Sequence, residues 1–141
     1  MNDKPLCSRL EALGTDECIR RLESRGLGRI GVVVDGMPHV VPVNYAWFEH
    51  AVVVCSQPGT KTAGLTDAGA NHEVAFEIDE FDLVDHSGWS VQVRGYAEPF
   101  EPIAPIPVAP WCPDPSETGV WFRIVPHHIS GRRIVHLSLG R

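Results

Sequence analysis

The chain has 141 residues, 43% of them hydrophobic, and a formal net charge of −6 at pH 7, which suits a single domain with one core. The acidic balance argues against nucleic acid and anionic membrane surfaces as partners, because a negatively charged protein is not attracted to either. The N-terminal segment has no signal-peptide pattern and no stretch approaches the roughly 20 apolar residues of a membrane span, so we expect a cytoplasmic protein.

The sequence predicts one short amphipathic helix followed by six strands. Residues 1–14 form an N-terminal extension, and Thr15 is expected to cap a helix that ends at Gly26. Alternation of apolar and polar residues, together with runs of β-branched residues, predicts the strands. They cover residues 28–35, 39–47, 51–57, 72–79, 89–100 and 120–125. A second short helix is predicted over residues 62–68.

Turn signals between these segments predict hairpins rather than crossover connections. Asp35-Gly36 is the two-residue signal of a tight hairpin, and Gly95 inside the fifth strand predicts a bulge or a close backbone approach. Seven prolines between residues 99 and 115 exclude a central strand or a regular helix there, so residues 99–116 are predicted as a long surface loop. Six hairpin-linked strands with few helices favour a mainly β, closed or partly closed antiparallel barrel.

Cysteine and histidine spacing gives no indication of a metal site. The four cysteines are scattered without a CxxC pair, so neither a zinc site nor a disulfide framework is predicted. Cys18 and Cys55 are interpreted as small buried hydrophobic residues on a helix face and in a strand. None of the seven histidines shows an HxH or HExxH spacing.

The turn from Ser56 to Thr62 (SQPGTKT) carries the most informative polar residues. It offers hydroxyl groups, a flexible glycine and the cation of Lys61, and it leads into the second predicted helix. Unpaired amides and the positive dipole end at the start of a helix favour an anion. We therefore expect this turn to bind the phosphate of a cofactor.

Five segments follow the predicted first helix in a recognisable order: GRIGVVVDGMPHVVPVNY, PGTK, VAFEID, GWSVQVRG and FRIVPHHISGRRI. Their order and spacing resemble the pyridoxamine 5'-phosphate oxidase-like, flavin-binding split-barrel family, in its small actinobacterial-type branch. The similarity covers about residues 15–134 of a single domain that spans 1–141. It implies a six-stranded antiparallel split barrel that forms a homodimer and binds flavin mononucleotide (FMN) in two symmetric sites at the subunit interface.

The resemblance implies a phosphate contact for Lys61, with Ser56 and Thr60 as hydroxyl donors. Charge-assisted contacts of this kind suit a phosphate dianion. From the residues alone, Lys61 can equally be a solvated turn lysine. The turn therefore has two open interpretations at this stage.

The resemblance also implies two segments that contact the flavin ring. Positions facing the ring are implied on the second strand, at Pro42, Val43, Asn44 and Tyr45. A segment that reaches the flavin across the dimer interface is implied at Trp89, Ser90 and Val91. From the residues alone, Asn44 can be a satisfied turn amide and Trp89 an interface anchor without a ligand.

The function implied by the resemblance is a reductase-like, FMN-dependent oxidoreductase that acts on an unidentified small molecule. The cofactor would carry the redox chemistry, and no catalytic side chain is assigned. Residues 127–133 lack the tryptophan of true pyridoxamine phosphate oxidases, so that reaction is not expected. The alternatives are a deazaflavin-dependent reductase and a non-catalytic flavin- or haem-binding protein, with FAD as a further candidate cofactor.

Overall fold

The computed structural model describes residues 6–60, 62–66, 72–108 and 119–138. Its elements in chain order are β1 (Leu6–Leu13), α1 (Thr15–Glu23), β2 (Leu27–Val34), β3 (Met37–Asn44), β4 (Ala46–Phe48), β5 (Ala51–Ser56), a 3-10 helix (Ala63–Thr66), β6 (Glu73–Asp82), β7 (Ser87–Pro99) and β8 (Val120–Ser138). Within this part of the chain, no helix is long and apolar enough to span a membrane.

The eight strands of the described residues belong to one antiparallel sheet that curls into an open barrel. The order across the sheet is β3-β2-β6-β7-β8-β5-β4, and β1 pairs with the second half of β8. β3, at one end of the sheet, approaches β5 near the other end. No ladder joins these two strands within the described residues. The barrel is therefore split between β3 and β5, and the prediction of a mainly β split barrel is confirmed.

The prediction of six strands is wrong in number, because the described residues form eight. Residues 6–13, predicted as part of an extension, pair along their whole length with β8. The predicted second strand breaks at Tyr45 into β3 and β4. β8 continues to Ser138, far beyond the predicted end at residue 125, because β1 and β7 pair with its polar second half.

The first helix begins without the predicted cap. Gly14 occupies the N-cap position and no side chain caps the helix, so Thr15 is a helical residue. The helix ends at Glu23, before the predicted stop at Gly26, and the Ser24 hydroxyl donates to the Arg21 carbonyl oxygen at 3.0 Å. Cys18 and Leu22 are completely buried, which confirms the interpretation of Cys18 and fixes α1 against the barrel.

The tight turns follow the sequence signals. Asp35 and Gly36 have φ values of 51° and 76°, which is the left-handed geometry of a two-residue hairpin turn. Glu49 and His50 repeat this geometry with φ values of 49° and 59°. The second tight turn therefore lies between β4 and β5, in the gap between the predicted strands 39–47 and 51–57.

Gly95 lies at a bulge in β7, as predicted. The register between β7 and β8 shifts between Arg94 and Gly95. A Cβ atom added at Gly95 would overlap the carbonyl oxygen of Val125. Glycine at this position therefore permits the close approach of two backbones.

The core fills the inside of the curl with alternate side chains from the central strands. Its largest fully buried members include Phe76, Phe122, Ile30, Ile78 and Ile124. Residues 100–108 of the proline-rich segment form neither helix nor strand, whereas Pro99, the first residue of the predicted loop, ends β7. The remainder of that segment, residues 109–118, lies outside the described residues.

We expect Gly95→Ala to lower the free energy of unfolding by about 1–3 kcal/mol, because the added methyl group is forced against the β8 backbone. Chemical denaturation measures this change. Gly26→Ala is the matched control: a Cβ atom there meets nothing within 4 Å, so a change within about 1 kcal/mol is expected. Equal effects of the two substitutions would contradict the assigned backbone approach.

Candidate functional site

The seam between β3 and β5 contains a groove of about 370 Å³. Residues 41–44 of β3 form one wall, and residues 54–57 at the end of β5 form the other. Leu27, Thr60 and Thr62 complete the lining. The groove exists because the two strands approach without pairing, so that neither side chains nor a ladder closes the gap.

Three hydroxyl groups meet at one end of this groove. The Oγ of Ser56 lies 2.9 Å from the Oγ1 of Thr62, and both residues are buried. The Oγ1 of Thr60 lies 3.2 Å from that of Thr62 and donates to the carbonyl oxygen of Gln57 at 2.8 Å. Because a hydroxyl group both donates and accepts, the buried pair can exchange roles and direct a proton towards an anion.

The helix expected after this turn is described over Ala63–Thr66, where it is a four-residue 3-10 helix. Two of its amides are bonded inside the turn. The Ala63 amide donates to the Thr60 hydroxyl at 3.2 Å, and the Leu65 amide donates to the Thr62 carbonyl at 3.2 Å. These two amides are therefore not free to bind an anion, and the anion site at this turn stays a prediction.

Lys61 lies outside the described residues. Its neighbours Thr60 and Thr62 both line the groove. The phosphate contact of Lys61 therefore stays a prediction. Other polar side chains of the same turn face this groove.

The β3 residues predicted to face a ring divide into two groups. Pro42, Val43 and Asn44 line the groove. Tyr45 is 2% exposed and lies in the core instead. Its ring packs edge-on against Phe76 with centroids 4.8 Å apart.

The Tyr45 hydroxyl fastens the helix to the barrel. It donates to the carbonyl oxygen of Leu22 at 2.7 Å. Burial raises the pKa of this hydroxyl above its usual range, so the group keeps its proton and its role as a donor. In this chain Tyr45 stabilises the end of α1.

Trp89, Ser90 and Val91 lie on β7, outside the groove lining. Val91 is completely buried in the core. The Trp89 ring lies beneath the guanidinium groups of Arg21 and Arg25, at 4.5 Å and 5.3 Å from the ring centroid. Ser90 is half-buried and stands in register with Asp79. A single chain therefore gathers Pro42, Val43, Asn44, Ser56 and Thr60, and it separates them from the β7 segment.

Sequence reasoning missed several residues of the lining. Leu27, Cys55, Gln57 and Thr62 also face the groove. Thr62 belongs to the polar turn of residues 56–62, which the sequence already indicated. Leu27 reaches the groove only because the barrel closes. Cys55 is half-buried rather than fully buried as expected, and burial raises the pKa of its thiol.

A cluster of charged side chains lies on the outer face of the sheet. The Nη1 atom of Arg29 is 3.3 Å from both the Oε1 atom of Glu77 and the Oδ2 atom of Asp79. Burial, and then the hydrogen bond and charge of Asp79, raise the pKa of Glu77 to about 7, while Arg29 opposes the shift. Within the described residues, no group of three metal-ligating side chains could hold an ion.

Comparisons with known proteins give consistent similarities. A family model described as pyridoxamine 5'-phosphate oxidase matches residues 14–133. A protein of Mycobacterium tuberculosis, Rv0080, described as uncharacterised, is 33% identical over 132 residues, 87% of this chain and 84% of that protein.

Two solved structures cover most of the fold. The FAD-binding protein from Mycobacterium smegmatis has a TM-score of 0.66 and 31% identity, over 89% of this chain and 98% of that one. A FAD-binding protein from Mesorhizobium loti has a TM-score of 0.70 and 25% identity, over 92% and 99%.

Tyr45→Phe is expected to lower the free energy of unfolding by about 1–2 kcal/mol, because it leaves the Leu22 carbonyl oxygen without its buried donor. Thermal or urea denaturation measures the change. Tyr96→Phe is the control, since Tyr96 is 50% exposed. A Tyr45→Phe protein as stable as the control would contradict the anchoring role.

Proposed function

The chain belongs to the pyridoxamine 5'-phosphate oxidase family, and on that premise we propose that it binds a flavin in the groove between β3 and β5. Membership confirms the resemblance drawn from the sequence. The observation that supports the proposal is the composition of the groove. Buried hydroxyl groups meet at one end, while an apolar wall with a single amide extends along β3.

The residues present fit the two ends of a flavin nucleotide. Hydroxyl groups of Ser56 and Thr62, with the cation of Lys61, match the donors that a phosphate prefers. The Thr60 hydroxyl, which donates to the Gln57 carbonyl oxygen, would have to release that bond to join them. Val43 and Pro42 offer an apolar surface, and the amide of Asn44 can donate to or accept from polar atoms of the ring system. Leu27 stands on the same side of the groove and adds to its apolar character.

FMN is the cofactor that we propose. The names of the FAD-binding proteins from Mycobacterium smegmatis and Mesorhizobium loti support a flavin, and FAD is the alternative. A deazaflavin with an acidic tail needs several basic side chains, and the described lining of the groove contains no arginine or lysine. No histidine lines the described groove either, which disfavours haem held by an imidazole.

We further propose that the protein is a cytoplasmic homodimer with a small-molecule substrate. The resemblance assigns ring contacts both to β3 and to Trp89, Ser90 and Val91 of β7. One chain keeps these segments apart, and Ser90 faces outwards from the sheet. A second copy would supply its β7 segment, residues 89–91, to the groove of the first.

The proposed activity is that of a reductase-like oxidoreductase. When bound, the flavin supplies the transfer of electrons between a reduced donor and an acceptor. The role of the described groove residues is to bind and orient the flavin, since they include no carboxylate and no imidazole. Burial raises the pKa of the Cys55 thiol, so the proton comes from solvent or substrate.

Lys61→Ala is expected to weaken FMN binding by about 1.5–3 kcal/mol, because a charge-assisted phosphate contact is lost. Fluorescence titration of FMN measures the affinity. Lys4→Ala removes the same charge from the N-terminal segment and should leave the affinity within about 0.5 kcal/mol. Unchanged FMN affinity in Lys61→Ala would place the phosphate elsewhere.

Anaerobic addition of reduced nicotinamide tests activity against storage. An oxidoreductase loaded with FMN is expected to lose its yellow colour, and absorbance spectroscopy follows the bleaching. FMN that stays oxidised would indicate a non-catalytic flavin-binding protein. Protein that binds no added flavin would overturn the proposal.

A further inference from the structure

The outer face of β3, β2 and β6 carries a depression of about 330 Å³. Gly31 and Ala75 stand in register at its floor. The depression exists because glycine has no side chain and alanine has only a methyl group. Val40 lies on β3 and pairs with Gly31 of β2. It stands beside the depression with 72% of its surface exposed. A protruding apolar side chain therefore borders a hole on one face.

Such a face is self-complementary. In a two-fold dimer the same patch meets itself, so Val40 of each copy can enter the depression of the other. The face extends through Val33 and Tyr96, which are 39% and 50% exposed. It also carries both signs of charge, because Arg29 lies beside Glu77 and Asp79, so opposite charges can meet across the axis.

We propose that a second copy of this chain docks on the outer face of β3, β2 and β6, and that a proton taken up by the Glu77–Asp79 carboxyl pair strengthens the docking. The proposal rests on the homodimer of the proposed function but not on the flavin. It adds the face that associates and the control of association by pH.

The physical reason is the imbalance of charge in the cluster. The Arg29 guanidinium group contacts the carboxylates of Glu77 and Asp79 at 3.3 Å. This trio of side chains carries an excess negative charge when both carboxylates are ionised. Removing that charge from water against a second copy is costly. A single proton shared by the two carboxyl groups makes the trio neutral and lowers the cost.

The neighbours of the pair do not supply a second cation contact. Around Glu77 on this face lie Arg29 from β2, Asp79 from its own strand, Gln92 and Arg94 from β7, and Pro42 from β3, which pairs with Arg29. Arg94 is exposed and forms no ion pair within the described residues. The pair therefore depends on Arg29 and on a proton.

The direction of the pH effect follows from linkage. Burial already raises the pKa of Glu77 to about 7 in the single chain, and docking removes more water from it. The docked state thus binds the proton more tightly than the free chain. Docking is strongest below pH 7 and weakens as the pH rises above it.

Sedimentation equilibrium of the full chain without added flavin, at pH 6 and pH 8 in the same salt, tests the proposal. A two-fold dimer contains two carboxyl pairs, so linkage of one proton per copy predicts a dimer dissociation constant about 25-fold to 100-fold larger at pH 8. Equal constants at the two pH values would overturn the control by the carboxyl pair. A monomer at every concentration would overturn the whole inference.

Two variants test whether Glu77 is responsible for the pH dependence. Glu77→Gln keeps the size of the side chain and removes its titration, so its dissociation constant should be equal at both pH values and close to that of the unaltered protein at pH 6. Glu23→Gln, on the exposed surface of α1, should retain the pH dependence. A Glu77→Gln protein that also retains it would contradict the assignment.

Val40→Asp tests the face itself. We expect a dissociation constant at least about tenfold larger at both pH values, because the buried aspartate would add a third carboxylate beside the single cation of Arg29. Val40→Asn repeats the test with an uncharged polar side chain, and urea denaturation checks the folding of both. Unchanged dimerisation in both variants would contradict the face, whereas a pH-dependent dimer that binds no flavin would overturn only the flavin proposal.

Discussion

The seam between β3 and β5, which no ladder closes within the described residues, determines where the barrel opens. β5 completes its ladders with β4 and β8, and β3 pairs only with β2 within the described residues. Pro38 and Pro42 lack backbone N–H groups, so β3 cannot offer a complete ladder to a further strand. The barrel therefore stays open at this place, and the opening forms the groove.

The charged and uncharged polar groups occupy separate parts of the fold. Hydroxyl groups line the buried end of the groove, while the cluster of Arg29, Glu77 and Asp79 lies on the outer sheet face. The two regions are neighbours, because Pro42 lines the groove and also pairs with Arg29. A second copy on the outer face would thus lie next to the groove rim, so assembly and ligand binding can influence each other.

The sequence predicts best what depends on near neighbours. The turn at Asp35-Gly36 and the bulge at Gly95 follow from local backbone requirements. The pairing of β1 with β8 joins residues more than a hundred positions apart, and no local pattern indicates it. Tyr45 stands two positions after Val43, and both are buried in the core, as alternation along an extended chain requires. The amides after Thr62 bond within their own turn, which sequence spacing does not reveal.

Alkylation of Cys55 with and without FMN tests most directly whether a flavin occupies the seam. Cys55 lines the groove and is partly exposed, while Cys18 is completely buried and serves as an internal reference. Mass spectrometry of the two peptides gives both rates. Saturating FMN should slow modification of Cys55 and leave Cys18 unreactive. An unchanged rate at Cys55 with FMN bound would show that the flavin lies elsewhere.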